Sequence, residues 1–506
     1  MIGSLLLSRR DRARLQEVVG IASRFGLGVL LARLGLERGA ASEGAPGETR
    51  TLPVRTRLAL EALGPTYVKL GQILAMRGDL LPPEWTQELE RLHSHAPTLP
   101  FEELRPAVEA ALGQPPEEAF ASIDTTPLAA ASMAQVHRAR LRDGREVVLK
   151  IRRPGIRPRV ESDLRLMAQL AAALETTSAE ARRFGPVALT RQLADAILAE
   201  LDFTQEGRNA DRLRADFTGD ARVVLPEIHW AWSSETLLVM DHIAGIPPRD
   251  GDTLRAAGID PEAIAALGAD IVLDMVLIHG RFHGDPHPGN MLCLPGNRIA
   301  LLDMGMIGHV SPKRREEFIG FVQSLAAGDP ALLADVLAAW SEGGEVPRAR
   351  LRAVADRLVA RHGGGRVVLA DMVADFLPLL REEGVTLPPD LLLAFKAMVT
   401  LDGVVTRIAP GFDLSDAMRR ATLRIARARL SPERWWPILQ SLAWELGRVS
   451  EDAPRLLRAT LRRLEAEPAE ALPPTAQPDA IRAAGRWIAG AILAGAALLA
   501  AAIFLR

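Results

Sequence analysis

Residues 279–303 constrain this chain more tightly than any other stretch. They read HGRFHGDPHPGN, followed by the apolar run MLCLPGNRIALLD, with Gly305 two residues further on. Two chemistries compete for this segment. His279, His283 and His287 recur every four residues, which on a helix would align three imidazoles for a metal ion. Pro286 and Pro288 break such a helix, and no HExxH motif or cysteine cluster supports it. The other reading takes Asp285, Asn290 five residues later, and Asp303 eighteen residues after Asp285. This is the spacing with which kinase-like folds present a catalytic-loop Asp, a metal-binding Asn and a metal-binding Asp-x-Gly. A nucleoside triphosphate is densely anionic, so Mg²⁺ must bridge its phosphates. Two oxygens from two loops can hold that ion, while the first Asp orients the nucleophile.

The rest of such a site belongs upstream. Lys150 ends the strand-like run VVLK, where a phosphate-pairing lysine is expected. Only four of the 61 basic residues are lysines: Lys69, Lys150, Lys313 and Lys396. In a chain that otherwise uses arginine, a retained lysine marks a place where a compact ammonium fits and a guanidinium does not. The carboxylate partner of Lys150 is expected from ELDFTQEGRN, with Glu206 the best candidate. Asp202, Glu206 and Asn209 are spaced by four and three, which predicts one shared helix face. Met240 lies in VMDHIAG (239–245), the expected connection between lobes. There is no GxxxxGK[ST] and no GxGxxG. The position of a glycine-rich phosphate loop is taken by PLAAASMAQVH (127–137), with Ala129, Ala130, Ala131 and Ser132 at its turn.

Elsewhere the patterns separate into elements. Helical periodicity fills roughly 55–112, 157–178 and 187–215, and most of the chain from 261 on. Residues 120–152 read as a small antiparallel sheet with a tight turn at Asp143-Gly144, and VVLP (223–226) and TLLVM (236–240) as two more strands. MLCL and RIALLD form a further pair around Pro295-Gly296-Asn297. The N-terminal 54 residues read as an amphipathic helix, with surface-seeking character, and a linker. At the other end, residues 487–505 are 19 uncharged residues, about 28 Å as a helix and close to the ~30 Å hydrocarbon core, which predicts a membrane span. Arg482 and Arg486 before it favour a cytoplasmic N-terminal side. The formal net charge of −2 leaves no basic field for nucleic acid, and a single cysteine, Cys293, excludes an intramolecular disulfide.

Read together, these motifs resemble the AarF/UbiB family of atypical kinase-like proteins, linked to ubiquinone (coenzyme Q) biosynthesis. The resemblance rests on GPTYVKLGQILAMRGDLLPPE (64–84, with KxGQ at Lys69–Gln72), AAAS (129–132), VVLKIRRPGI (147–156), ELDFTQE (200–206), HGDPHPGN (283–290) and LLDMG (301–305). The usual Asp-Phe-Gly is here Asp303-Met304-Gly305.

The resemblance implies an α+β, protein-kinase-like two-lobed fold with a five-stranded small lobe, an N-terminal helical extension and a C-terminal transmembrane helix. The corresponding segments are 1–54, helix and linker; 55–119, the KxGQ extension; 120–245, the small lobe; 246–410, the large lobe; 411–480, a helical region and linker; and 487–505, the span. It implies ATP and Mg²⁺ as cofactors. Lys150 and Glu206 would form the ion pair on the phosphates, with Ala129–Ser132 and Met240 beside the nucleotide. Asp285, Asn290 and Asp303 would serve catalysis and metal. Lys69, Gln72, Glu200 and Asp202 would line a pocket closed to protein substrates. Expected partners are nucleotide, a membrane lipid or quinone intermediate, and quinone-biosynthesis enzymes, at the cytoplasmic face of a bacterial inner membrane. Two other readings stay open on sequence: a small-molecule phosphotransferase, which shares HGDxHPxN but needs neither KxGQ nor AAAS, and a non-catalytic ATP-binding scaffold.

Overall fold

The computed structural model describes residues 9–27, 50–75, 81–92, 97–177, 182, 185–341, 346–363, 369–383, 385, 387–413, 417, 420, 421, 424, 425, 440, 441 and 444. The chain divides into two compact units, Met1–Ala428 and Arg429–Arg506, and all that follows concerns the first. Four helices open it: α1 (Arg9–Arg24), α2 (Leu52–Leu63), α3 (Pro65–Ala75) and α4 (Pro83–Leu89). The small lobe runs through α5 (Phe101–Leu112), α6 (Pro116–Ala119), β1 (Phe120–Ala130), β2 (Ala134–Leu141), β3 (Glu146–Arg152), α7 (Ile156–Thr177), α8 (Pro186–Glu200), α9 (Phe203–Asp216), β4 (Val223–Val224) and β5 (Leu237–Asp241). The large lobe follows with α10 (Gly251–Ala256), α11 (Pro261–Asp274), β6 (Arg281–His283), β7 (Met291–Leu294), β8 (Arg298–Leu301), β9 (Ile307–His309), α12 (Pro312–Ala327), α13 (Pro330–Trp340), α14 (Arg348–His362), α15 (Leu369–Glu382) and α16 (Pro389–Ile408).

Alternation along the strands builds the small lobe. Val147, Leu149 and Ile151 of β3 are fully buried on one face of the sheet, together with Leu237 and Val239 of β5 and with Phe101, Leu104 and Val108 of α5. Lys150 lies between them in sequence and so emerges on the opposite face, paired in register with Val136 of β2 and Leu238 of β5. The sheet has four strands in the order β1-β2-β3-β5, one fewer than the resemblance implies. Residues 223–224 leave it to pair in parallel with β8 of the large lobe, Val223 opposite Ile299. Pro226 has no N–H to give a ladder. The chain returns to β5 through Ile228 opposite Met240, and after a 3₁₀ turn at Trp230–Trp232 the Ser233 hydroxyl accepts the Val239 N–H and the Ser234 N–H donates to the Leu237 carbonyl.

A second correction concerns 187–215, which is two helices. Leu201 closes α8, and Asp202, extended at φ −107° and ψ 95°, caps the start of α9 by accepting the Thr204 N–H. A third is the pair β6–β9, with Arg281 opposite His309, which short runs did not reveal.

The N-terminal helices share a core with α7 and α8. Leu60, Leu63, Tyr67, Val68, Ile73 and Leu89 pack on Val160, Leu164, Leu193 and Ile197. The apolar side of α1 joins that core through Val18 and Ile21. In the large lobe Phe318, Phe321, Trp340, Phe376 and Phe395 form one aromatic cluster with ring centroids 5.1–6.3 Å apart. Residues 487–505, where the membrane span is expected, lie outside the described residues. Among the described residues no helix is long and apolar enough to cross a membrane.

Candidate functional site

The site forms where β3, α9 and the β7–β8 hairpin converge. Gly207 allows α9 to lie close to the sheet: a Cβ there would stand 2.8 Å from the Trp230 ring and 3.3 Å from Leu238. That approach brings Glu206, the preceding residue, up to Lys150. The Lys150 ammonium donates to both Glu206 oxygens, at 2.7 Å to Oε1 and 2.8 Å to Oε2, and reaches Asp303 Oδ2 at 3.4 Å. The Glu206 side chain is buried at 7% exposure, while that of Asp303 is 44% exposed and opens towards the cleft.

One ammonium therefore serves two carboxylates of different surroundings. Burial works against the Lys150 charge, but Asp303 and then Glu206 hold its pKa above the ordinary lysine value. Burial also opposes the charge on Asp303. Lys150 and the Gly305 N–H, which donates to Oδ1 at 2.8 Å, overcome that and hold the carboxyl below the usual range. Glu206 is the most buried of the three side chains. Burial pushes it up to about 7 against the pull of Lys150, with the Asp303 charge adding to the rise.

The hairpin explains why Asn290 and Asp303 meet. Met291 lies opposite Leu301 and Leu294 opposite Arg298, so the residues just outside the two strands share one end. The Leu302 N–H donates to the Asn290 carbonyl at 3.0 Å. Asn290 spends its Nδ2 on the Asp285 carbonyl at 3.2 Å, which leaves its Oδ1 for a cation. His283 is buried, and burial lowers its pKa; its Nδ1 accepts the Asp285 N–H at 3.0 Å and ties down the loop at 283–285. Among the described residues no three His, Cys, Asp or Glu side chains converge as a closed metal cage, so the three histidines do not form one. The donor set of an Asp and an Asn suits Mg²⁺, which takes few protein oxygens.

The remaining predicted residues fall into two groups. Lys69 on α3 pairs with Glu200, at the end of α8, at 2.6 Å. Burial disfavours its charge, but Glu200, then Asp303 and Asp285, raise its pKa, so its ammonium stands within the field of the site. Gln72 donates to the Leu92 carbonyl at 3.3 Å. Asp202 does not share a face with Glu206, contrary to the spacing argument. Its carboxylate turns back on Thr204, accepting from the hydroxyl at 2.7 Å, whereas Asn209 does sit with Glu206 and donates to the Met304 carbonyl at 3.1 Å. Met240 is the penultimate residue of β5 and lies opposite Val148.

Ala129 and Ala130 complete β1, and Ala131 and Ser132 make the turn into β2. The Ala131 N–H donates to the Ala134 carbonyl at 2.8 Å, and its own carbonyl accepts from Arg153 Nε at 2.9 Å. None of these alanines has a positive φ. The turn is thus pinned at both ends in ordinary backbone space, where glycines would leave it free.

A cation at the loop was not anticipated. Lys396 of α16 stands 3.4 Å from Asp285 Oδ1. The scarcity of lysine was the signal that could have found it.

Residues 91–337 match the family described as ABC1 atypical kinase-like domain, and residues 354–413 that described as UbiB helical domain. The chain is 34% identical over 426 residues to a "Probable protein kinase UbiB" of Xanthomonas campestris pv. campestris (strain B100), covering 81% of this chain and 76% of the relative. It is 32% identical over 421 residues to the protein of the same name from Xylella fastidiosa (strain 9a5c), covering 80% and 76%. Among solved structures it is similar to that titled the complex structure of Rv3197-erythromycin from Mycobacterium tuberculosis, with 22% identity and a TM-score of 0.48, covering 78% of this chain and 94% of that one.

Proposed function

Since the chain belongs to the UbiB family of ABC1 atypical kinase-like proteins, we propose that it binds Mg-ATP between its lobes, turns it over slowly, and supports ubiquinone biosynthesis or the handling of a lipid-like quinone intermediate at the membrane. The observation that carries this reading is the convergence of Lys150, Glu206 and Asp303 within 3.4 Å. In it Lys150, held by Glu206, pairs with phosphate, Asp303 and Asn290 hold the metal, and Asp285 orients the attacking oxygen. Mg²⁺ held there by Asp303 and Asn290 would supply charge neutralisation at the phosphates. Lys69 and Gln72 on α3 fill space that a substrate peptide needs, which favours water or a small acceptor over a protein hydroxyl.

A deletion strain tests the pathway. It is expected to accumulate an early quinone intermediate, relieved by the full chain; an unchanged quinone pool would overturn the assignment. In the same strain a chain ending at Asp479 is expected to leave the membrane fraction, because residues 487–505 carry no charge. Full, salt-resistant retention of that shortened chain would overturn the anchoring role of the tail.

The alanine turn makes a separate prediction. Ala131→Gly relaxes a residue whose Cβ restricts the backbone, by roughly 1 kcal/mol or more for left-handed conformations. Nucleotide affinity is expected to change several-fold, with autophosphorylation switched on. A binding titration and a radiolabelled-ATP assay that both match the wild type would show that this turn does not contact phosphate.

A further inference from the structure

Three of the four lysines converge on the cleft, and only two of them have a role in the reading above. Lys313 is the exception in place, 84% exposed and 3.8 Å from Glu317 on the same helix. Lys396 is different in kind. It sits on α16, inside the segment that matches the UbiB helical domain, yet its Nζ stands 3.4 Å from Oδ1 of Asp285, which belongs to the kinase-like segment.

The contact is built in. Leu393, three residues before Lys396 and so on the same helix face, closes on the catalytic loop: a Cβ at Gly284 would come within 2.9 Å of its Cδ1. Phe395, the residue immediately before Lys396, is locked in the aromatic cluster, 5.4 Å from Phe318, 5.6 Å from Phe321 and 5.7 Å from Phe376. The rotation of α16 about its axis is thereby set by the large-lobe core, which points the base of the Lys396 side chain towards the loop that carries Asp285. Glu90, just after α4, also lies within the field of Lys396: burial raises its pKa and the Lys396 charge opposes that rise. The side chains of Lys396 and Asp285 are 30% and 32% exposed, so the pair faces the cleft and remains open to a ligand.

We propose that Lys396 is the positioning residue for Asp285, holding its carboxylate in line with the acceptor oxygen and placing a positive charge on the acceptor side of the cleft, opposite Lys150. The helical domain then contributes a working part of the site as well as packing. This rests on the functional reading above, in which Asp285 orients the attacking oxygen. A carboxylate released from such a partner can swing by an ångström, a displacement that costs about 10²-fold in rate.

The test uses the full chain in detergent with Mg-ATP. Lys396→Met is expected to lower kcat about 10²-fold with the Kd for Mg-ATP within about threefold of wild type. Lys396→Arg, which keeps the charge on a bulkier group, is expected to recover about tenfold over the Met variant. Lys313→Met is expected to behave as wild type. In an Asp285→Asn background, Lys396→Met is expected to add no further loss, because its effect passes through that carboxylate. Undiminished kcat in Lys396→Met, an additive loss in the double variant, or an Arg variant no better than Met would each overturn the proposal. Should the Met variant fail to fold by thermal melting, Lys396→Gln takes its place with the same expectations. Wild-type turnover in Asp285→Asn alone would overturn the functional reading and this inference with it, whereas loss there with none in Lys396→Met overturns this inference only.

Discussion

Asp303→Asn and Lys150→Arg are each expected to lower Mg-ATP turnover by about 10²–10³-fold, the usual cost of removing one preorganised charge from the reacting phosphates. In the Asn variant the amide keeps the shape of Asp303 but loses the charge that would bind metal. Lys150 then has Glu206 as its only carboxylate. In the Arg variant a planar guanidinium must occupy a space sized for an ammonium 2.7 Å and 2.8 Å from the two oxygens of a buried glutamate. Steady-state hydrolysis by the purified full chain, with thermal melting to check folding, measures both. Wild-type turnover in the two variants together would remove the nucleotide site from this cleft.

Arg14→Leu is expected to cost about 3–5 kcal/mol of stability, because it strands a buried carboxylate. Arg14 and Asp163 have side chains 6% and 2% exposed, joined at 2.6 Å from Nε to Oδ1. A second bond runs from the guanidinium to Asp163 Oδ2 at 3.1 Å, and a third to the Leu63 carbonyl at 2.7 Å, while the Thr66 hydroxyl donates to the same Asp163 Oδ2 at 2.9 Å. One buried pair thus ties α1 to α7, to the end of α2 and to the start of α3. Since α3 carries Lys69, loosening that knot is also expected to disturb the Lys69–Glu200 pair. Removing both charges, as Arg14→Leu with Asp163→Leu, is expected to recover much of the loss, since no unpaired charge then remains buried. Denaturant unfolding of the single and double variants gives the comparison. A single-variant loss below about 1 kcal/mol would show that Asp163 finds another partner.

The placement of Lys150, Asn290 and Asp303 was legible because short-range geometry delivers these residues. The β7–β8 hairpin carries Asn290 and Asp303 to the same end whatever surrounds it, and alternation along β3 puts Lys150 on the face opposite Leu149 and Ile151. Asp202 was misread for a reason also visible in the chain. It stands three residues before Gln205, the capping-box arrangement that starts a helix, but continuous periodicity on both sides hid the break. The N-terminal segment was read as surface-seeking from its amphipathic pattern; its described part packs Val18 and Ile21 on the domain, and residues 28–49 lie outside the described residues.

By itself, then, the amino-acid sequence determined how the candidate residues are presented locally: hairpin ends, strand faces, helix starts, and the few lysines kept among many arginines. It did not determine which surface covers an apolar face or which distant charge meets a given carboxylate. Periodicity records that a side chain is buried or exposed and is silent about its partner. The tertiary structure decided those questions. Packing sends residues 223–224 to the large lobe, buries Arg14 on Asp163, and turns α16 so that Phe395 enters the aromatic core while Lys396 reaches Asp285. An ion pair between remote segments exists only after the cores on either side have set the distance between them.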